Sequence, residues 1–384
     1  MEFPDTIPQE HLIPSKNFNR RINYARRDGR VRPPKINEDL VDYDLNMAGF
    51  EPNIFLSDVI ATRKGESRRH FLFATAKQLD ILRRCKNIKM DATFKICKDP
   101  HKQLLTIHST VRNYLHPKGK TVPLFYALMS GKRAIDYVEV LKELKKFLQQ
   151  DGHDIMFEDV LMDYEKAMWN AIENVFGAHV KKRGCWFHYT QAIFRRVSEL
   201  KLTKDYYKKD RIYKMVRRFM TLALMDEGSI PVLFEHYKEC YRIETAQSAA
   251  VTDLFAYMEK QWISGKKFHP DQWCCYKRNT RTNNAVENWN GKIWKRAGER
   301  KLDIYQLSSL LLVDAEEAVR NLRRAGSDYI KPINRKTQKA IEKIYEEYDG
   351  GRGPLRSCDI LNMLMEATKT DVNTAAPNCN RRPV

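Results

Sequence analysis

Residues 88–96 read Ile88-Lys89-Met90-Asp91-Ala92-Thr93-Phe94-Lys95-Ile96, and their strict alternation decides the fold class. Ile88, Met90, Ala92, Phe94 and Ile96 fall on one side of an extended chain, so the stretch predicts a half-buried strand. Leu105, Ile107 and Val111 continue the pattern in a second strand. Residues 122–129 are almost continuously apolar, as a central strand buried on both faces would be, and Pro123 is tolerable near its start. Val138, Leu141, Leu144, Phe147 and Leu148 line one side of a helix over 134–150. A short strand over 159–163, a helix over 165–176 and another strand over 179–188 follow. Three strands, helix, strand, helix, strand predicts a mixed α/β unit, with a short helix over 71–85 ahead of it.

Downstream, from 191 to about 263, helical stripes dominate, for example Ile212, Met215, Val216, Phe219, Met220 and Leu222. Further helices are expected over 285–297, 304–325 and 337–348, and Gly350-Gly351-Arg352-Gly353-Pro354 ends the last of them. The chain then divides into a basic, proline-containing arm or linker (1–69), the first part of the α/β core (70–190) and a helical insertion (191–281). Core-completing helices (282–348) and a flexible C-terminal tail (349–384) complete it.

The chain has 384 residues, and 42% of them are hydrophobic, enough for a substantial core. No apolar run is long enough to cross a membrane, and residues 1–14 do not read as a signal peptide. Eight scattered cysteines are too few to staple this length and point to a reducing compartment. The 68 Lys and Arg against 49 Asp and Glu leave a formal charge of +19. The excess lies in three segments: 16–35 carries eight basic residues and one acid, 195–218 ten and three, and 277–301 eight and two. Such concentrations suit a phosphate-bearing partner, although a charge run is more often a solvated helix face.

Three carboxylates stand out. Asp91 lies inside a strand, where Asp is disfavoured; Asp163 ends another strand; Glu287 opens a helix. Carboxylates on two strands and a helix can converge on a pair of Mg²⁺ or Mn²⁺ ions, which prefer hard oxygen ligands and serve phosphodiester cleavage. Each also has a structural reading: Asp163 as a helix cap, Glu287 as half of a capping box with Asn284, and Asp91 as a surface acid.

The words around these acids carry a resemblance. Asp91-Ala92-Thr93-Phe94-Lys95, Gln103-Leu104-Leu105-Thr106-Ile107-His108 and Val122-Pro123-Leu124-Phe125-Tyr126-Ala127-Leu128-Met129-Ser130 resemble the opening of a Mutator-like element (MULE) transposase domain. Leu161-Met162-Asp163-Tyr164-Glu165-Lys166-Ala167, Gly184-Cys185-Trp186-Phe187-His188-Tyr189-Thr190-Gln191-Ala192 and Thr282-Asn283-Asn284-Ala285-Val286-Glu287 continue it over about residues 70–325. The blocks look most like the Phantom branch, often associated with FLYWCH-type zinc fingers. The resemblance implies an RNase H-like mixed sheet similar to that of retroviral integrases, with an all-helical insertion before the last catalytic acid. It also implies a DDE-type polynucleotidyl transferase using Mg²⁺ or Mn²⁺. By motif match Asp91, Asp163 and Glu287 are the catalytic, metal-binding acids. Double-stranded DNA as partner, a homodimer and a nuclear location are implied with them. The basic residues placed to grip DNA are Arg195, Arg196, Lys208, Lys209, Arg217, Arg218, Lys277, Arg278, Arg281, Lys292, Lys295 and Arg296. Family members commonly carry Gly at Ala92 and His at Asn290, departures that admit a domesticated, DNA-binding derivative without transposition activity.

Cys185 and His188 match the family's Cys-x-x-His element. Two residues cannot close a structural zinc site; His179, Cys240, Cys274 and Cys275 could complete one, or the pair could be a buried thiol and a hydrogen-bonded imidazole. No cysteine precedes Cys85, and only His11 and His70 precede it among histidines, so an N-terminal finger is not expected in this chain. Tyr206, Tyr207, Tyr213, Trp273, Tyr276, Trp289 and Trp294 could stack on bases or, at helical spacing, form core.

Overall fold

The computed structural model describes residues 36–42, 53–264, 268–278, 280–323, 332–349 and 354–369. Its centre is a seven-stranded mixed sheet. The strands are β1 (Phe55–Arg63), β2 (Glu66–Phe73), β3 (Asn87–Thr93), β4 (Gln103–Asn113), β5 (His116–Met129), β6 (Asp159–Met162) and β7 (Lys181–Gly184). Their spatial order is β1-β2-β5-β4-β3-β6-β7. All pairs from β1 to β3 are antiparallel, while β6 and β7 continue from β3 in parallel.

A short helix, α1 (Asn37–Val41), precedes the sheet, and further helices cover both faces. On one, α2 (Ala76–Arg83), α3 (Ala134–Leu148) and α4 (Lys166–Phe176) share a core with Met90, Leu105, Ile107 and Ala127 through Leu82, Val140, Leu144, Trp169 and Ile172. The helical region that follows comprises α5 (Trp186–Glu199), α6 (Thr203–Tyr207), α7 (Arg211–Thr221), α8 (Ser229–Cys240), α9 (Arg242–Gln247), α10 (Ala249–Met258) and α11 (Pro270–Trp273), with a π-helical turn over Glu259–Ile263. On the other face, α12 (Asn284–Arg296) and α13 (Ile304–Leu322) lay Trp289, Ile293, Leu307 and Leu311 over Phe71, Leu104, Tyr126 and Leu128. Residues 122–129 are therefore buried throughout, which explains their unbroken apolar run.

An aromatic cluster fastens the helical region to the sheet. Tyr189 stacks on Trp273 with centroids 4.8 Å apart, and Trp262 meets Tyr164 edge-on at 4.8 Å. The Tyr189 hydroxyl donates to the Phe219 carbonyl at 2.8 Å, and the Trp186 indole to the Met220 carbonyl at 2.9 Å. Tyr206, Trp273 and Trp289 are core residues, whereas Tyr207 is 56% exposed.

Several expectations need correction. Residues 55–69, expected within the arm, form β1 and the first half of β2, joined by a two-residue turn with Lys64 at φ 51 and Gly65 at φ 80. Positive φ at both positions suits the right-handed twist of a hairpin. The helix expected from 71 starts only at Ala76, because Phe71 and Phe73 pair with Leu128 and Tyr126 of β5 and Thr75 with Gln78 builds a capping box. The alternation through Ile96 breaks at Thr93: Phe94 is 42% exposed beneath the Lys132 ammonium, and Ile96 turns into the opposite core. Residues 185–188, expected in a strand, are instead the cap and first turn of α5. In the expected tail, α15 (Pro354–Ala367) buries Leu361 and Leu364 completely; it follows α14 (Pro332–Asp349). The basic segment 16–35 lies outside the described residues.

Candidate functional site

Strand register brings the first two acids together. β3 and β6 pair Asn87 with Asp159 and Lys89 with Leu161, a 72-residue offset that also separates Asp91 from Asp163. Asp163 therefore follows the end of β6 near Asp91, close enough for its charge to act on the Asp91 carboxyl. The turn after Asp163 is held tightly. Its backbone carbonyl accepts the Trp169 indole N–H at 2.6 Å, and a Cβ on Gly184 would overlap the Tyr164 ring.

The third acid arrives on α12. Asn283, fully buried at its N-cap, donates through Nδ2 to the Met90 carbonyl at 3.1 Å, and its backbone N–H donates to Cys185 Sγ at 3.3 Å. That pins the helix start to β3. Glu287 and Asn290 follow at i+4 and i+7 from Asn283, so all three share one face. Asn290 Nδ2 donates to Asp91 Oδ2 at 2.9 Å. This amide donor orients the strand carboxylate.

Neither capping role is taken up. The caps of α4 and α12 are Glu165 and Asn283, without side-chain cap hydrogen bonds. Asp163 Oδ1 and Glu287 Oε1 are instead buried without a hydrogen-bond partner among the described residues, as is Asn290 Oδ1. Native proteins rarely leave buried polar atoms unsatisfied. Asp91 is only 6% exposed, not the surface acid considered above. Burial, then the Asp163 and Glu287 carboxylates, hold it well above the usual carboxylate range. Burial pushes Glu287 up to about 7. A desolvated Asp91 on which the charges of Asp163 and Glu287 act is an arrangement a divalent cation relieves. The three carboxylates do not all lie within 4.8 Å of one another, and their all-oxygen chemistry is of the kind that suits Mg²⁺ or Mn²⁺.

Cys185 and His188 lie against this cluster. One ligand atom each from Cys185, His188 and Glu287 lies within 4.8 Å of the others, with His188 Nε2 3.8 Å from Glu287 Oε1. The proposed completers take no part. Cys274 Sγ donates to the Met225 carbonyl, Cys275 Sγ to that of Trp273, Cys240 is exposed beside His236, and His179 is absent from the group. A four-ligand zinc site is not assembled among the described residues. Lys89, unremarked in the sequence, shares the Asp91 strand face; its ammonium donates to Thr110 and Thr121 hydroxyls, and burial lowers it to about 8.

A family model described as a MULE transposase domain matches residues 87–192. The match supports the MULE family. It spans Asp91, Asp163, Cys185 and His188 and ends before Glu287. No curated protein and no solved structure matches the chain.

The twelve basic residues differ in their surroundings. Arg217 is fully buried, its guanidinium donating to the Met365 carbonyl at 2.8 Å, and is a core residue rather than a DNA contact. Arg218 donates to Asn362 and Tyr241; Arg296 is paired with Asp314 and Glu317, Arg196 with Glu199 and Lys208 with Asp205. Arg278 donates to the Asp271 carbonyl. Arg281 lies over the Trp186 ring and Lys277 over Tyr276. Arg195, Lys209, Lys292 and Lys295 are at least partly exposed.

Proposed function

We propose that this chain is the catalytic domain of a MULE-type DNA transposase, a DDE polynucleotidyl transferase acting on transposon ends and then on target DNA in the nucleus. The observation that best supports this reading is that Asp163 Oδ1 and Glu287 Oε1 are buried without a hydrogen-bond partner among the described residues, while the charges of both act on the buried Asp91 carboxyl, which accepts from Asn290. The sheet order supports an RNase H-like reading, since β5-β4-β3 is an antiparallel meander continued in parallel by β6 and β7. Asp91, Asp163 and Glu287 would hold Mg²⁺ or Mn²⁺, which supplies Lewis-acid stabilisation of phosphate charge and an activated water. Asn290 orients the Asp91 carboxylate, and Asn283 sets the depth of Glu287 by anchoring α12 to β3. Arg195, Lys209, Lys292 and Lys295 offer cations to backbone phosphates.

Asn290, at a position where the family that this chain resembles commonly carries His, favours a second reading, a domesticated DNA-binding protein without strand cleavage. A metal-dependent nicking assay on terminal-repeat DNA separates the two. The transposase reading expects Mg²⁺- or Mn²⁺-dependent cutting that Asp91→Asn abolishes; DNA binding without cutting under either metal favours the alternative.

A further inference from the structure

We propose that Cys185, His188 and Glu287 form a second cation site that takes Zn²⁺, shares Glu287 with the carboxylate triad and thereby inhibits it. The site stands on its own geometry; only its inhibitory consequence rests on the transposase reading above. Cys185 caps α5 and His188 lies in its first turn, so the i, i+3 spacing puts both on one face. The first turn of α12 brings Glu287 opposite. Around a tetrahedral Zn²⁺ with bonds of about 2.0–2.3 Å, ligand atoms stand about 3.3–3.8 Å apart. The His188–Glu287 separation of 3.8 Å already meets that spacing, and the group as a whole lies within 4.8 Å.

The environment suits a thiolate, imidazole and carboxylate set. Burial pushes the Cys185 thiol up, and backbone N–H groups of His188, Asn283 and Phe187 directed at its sulfur offset part of that, so the thiol gives up its proton when a metal takes it. Glu287 Oε1 and His188 Nδ1 are both buried without a hydrogen-bond partner among the described residues. Sulfur discriminates against Mg²⁺ and favours zinc, which sets this group apart from the all-oxygen triad. Three protein ligands leave the fourth tetrahedral position to water, as in open zinc sites. On coordination the Cys185 thiol proton passes to solvent, a sulfur lone pair fills the metal bond, and His188 binds as the neutral imidazole. Glu287, drawn to zinc, is then lost to the Asp91–Asp163 pair.

Co²⁺ is the probe, because Co²⁺–thiolate ligation gives a visible charge-transfer band. The full chain is expected to develop this band at one equivalent of Co²⁺ and to lose it when Zn²⁺ is added. Cys185→Ser should abolish the band, His188→Gln should weaken Co²⁺ binding at least tenfold, and Cys274→Ser should leave it intact. Asp91→Asn should abolish Mn²⁺ binding yet preserve the cobalt band, so failure of the triad and failure of this site are told apart. Absence of the band, or a band equally strong in Cys185→Ser or in a folded His188→Gln, overturns the proposal. Where nicking is present, micromolar Zn²⁺ should suppress it in competition with Mg²⁺; indifference to Zn²⁺ overturns the inhibitory role.

Discussion

Replacing Glu287 by Gln should stabilise the metal-free protein at alkaline pH. Burial raises this carboxyl from 4.5 to about 7. Between those values the folded chain binds more protons than the unfolded one, so stability falls as pH rises through about 4.5 to 7. A shift from 4.5 to about 7 corresponds to about 3 kcal/mol at pH 8. The side chain is 31% exposed, and solvent screening reduces the expected effect to about 1–2 kcal/mol. Urea titrations in EDTA should therefore find Glu287→Gln more stable than the parent by that amount at pH 8, with the difference nearly gone at pH 4. Saturating Mn²⁺ should reverse the order, because a ligand at 100 times its Kd adds about 2.7 kcal/mol to the parent and little to the variant. An equal or lower stability of Glu287→Gln at pH 8, or a gain independent of pH, would refute the desolvated-carboxylate argument.

Asp91→Asn and Asp163→Asn should each reduce nicking by about 10³-fold, since several kcal/mol of charge stabilisation are at stake and 1.36 kcal/mol is tenfold; single-turnover cleavage of labelled terminal-repeat DNA measures this. Asn290→Ala removes the donor to Asp91 and should cut activity more than Asn290→His, whose ring can donate to the same carboxylate; comparable rates for both would show that the donor is dispensable. Lys292→Glu with Lys295→Glu should weaken DNA binding and lower the slope of log affinity against log salt by about one for each phosphate no longer neutralised. Arg217→Ala should instead lower thermal stability by about 1–3 kcal/mol, with an unchanged salt slope in whatever fraction stays folded.

The parts of the fold that could be read in advance are those whose burial is one-sided or complete. β3 alternates because α3 and α4 cover one face, and β5 runs apolar because helices cover both. The 72-residue gap between Asp91 and Asp163 is a strand register, but it acquires that meaning only once β3 and β6 are known to be parallel neighbours. β1 and β2 escape a pattern search because an edge hairpin leaves most of β1 half-exposed and opens β2 with Glu66-Ser67-Arg68-Arg69, a polar run whose Arg69 pairs with Asp58 across the hairpin. α15 hides behind the glycine-rich break; Ile360, Leu361, Leu364 and Met365 form an apolar stripe, and Pro is a common first helical residue. Arg217 cannot be sorted from Arg218 by sequence, since adjacent residues on a helix face about 100° apart and tertiary packing chooses which one to bury. At the site, the i, i+4, i+7 spacing of Asn283, Glu287 and Asn290 is visible in the sequence, and it marks the helix face that meets β3.

Whether Asp91, Asp163 and Glu287 make one divalent-cation site is tested most directly by a Mn²⁺ titration of the full chain followed by electron paramagnetic resonance, with Asp91→Asn and Asp163→Asn alongside. The parent should deplete the free Mn²⁺ signal and both variants should restore it, while each variant keeps the parent's circular dichroism. Parent protein that leaves the Mn²⁺ signal untouched, or variants that deplete it equally, would contradict a shared site.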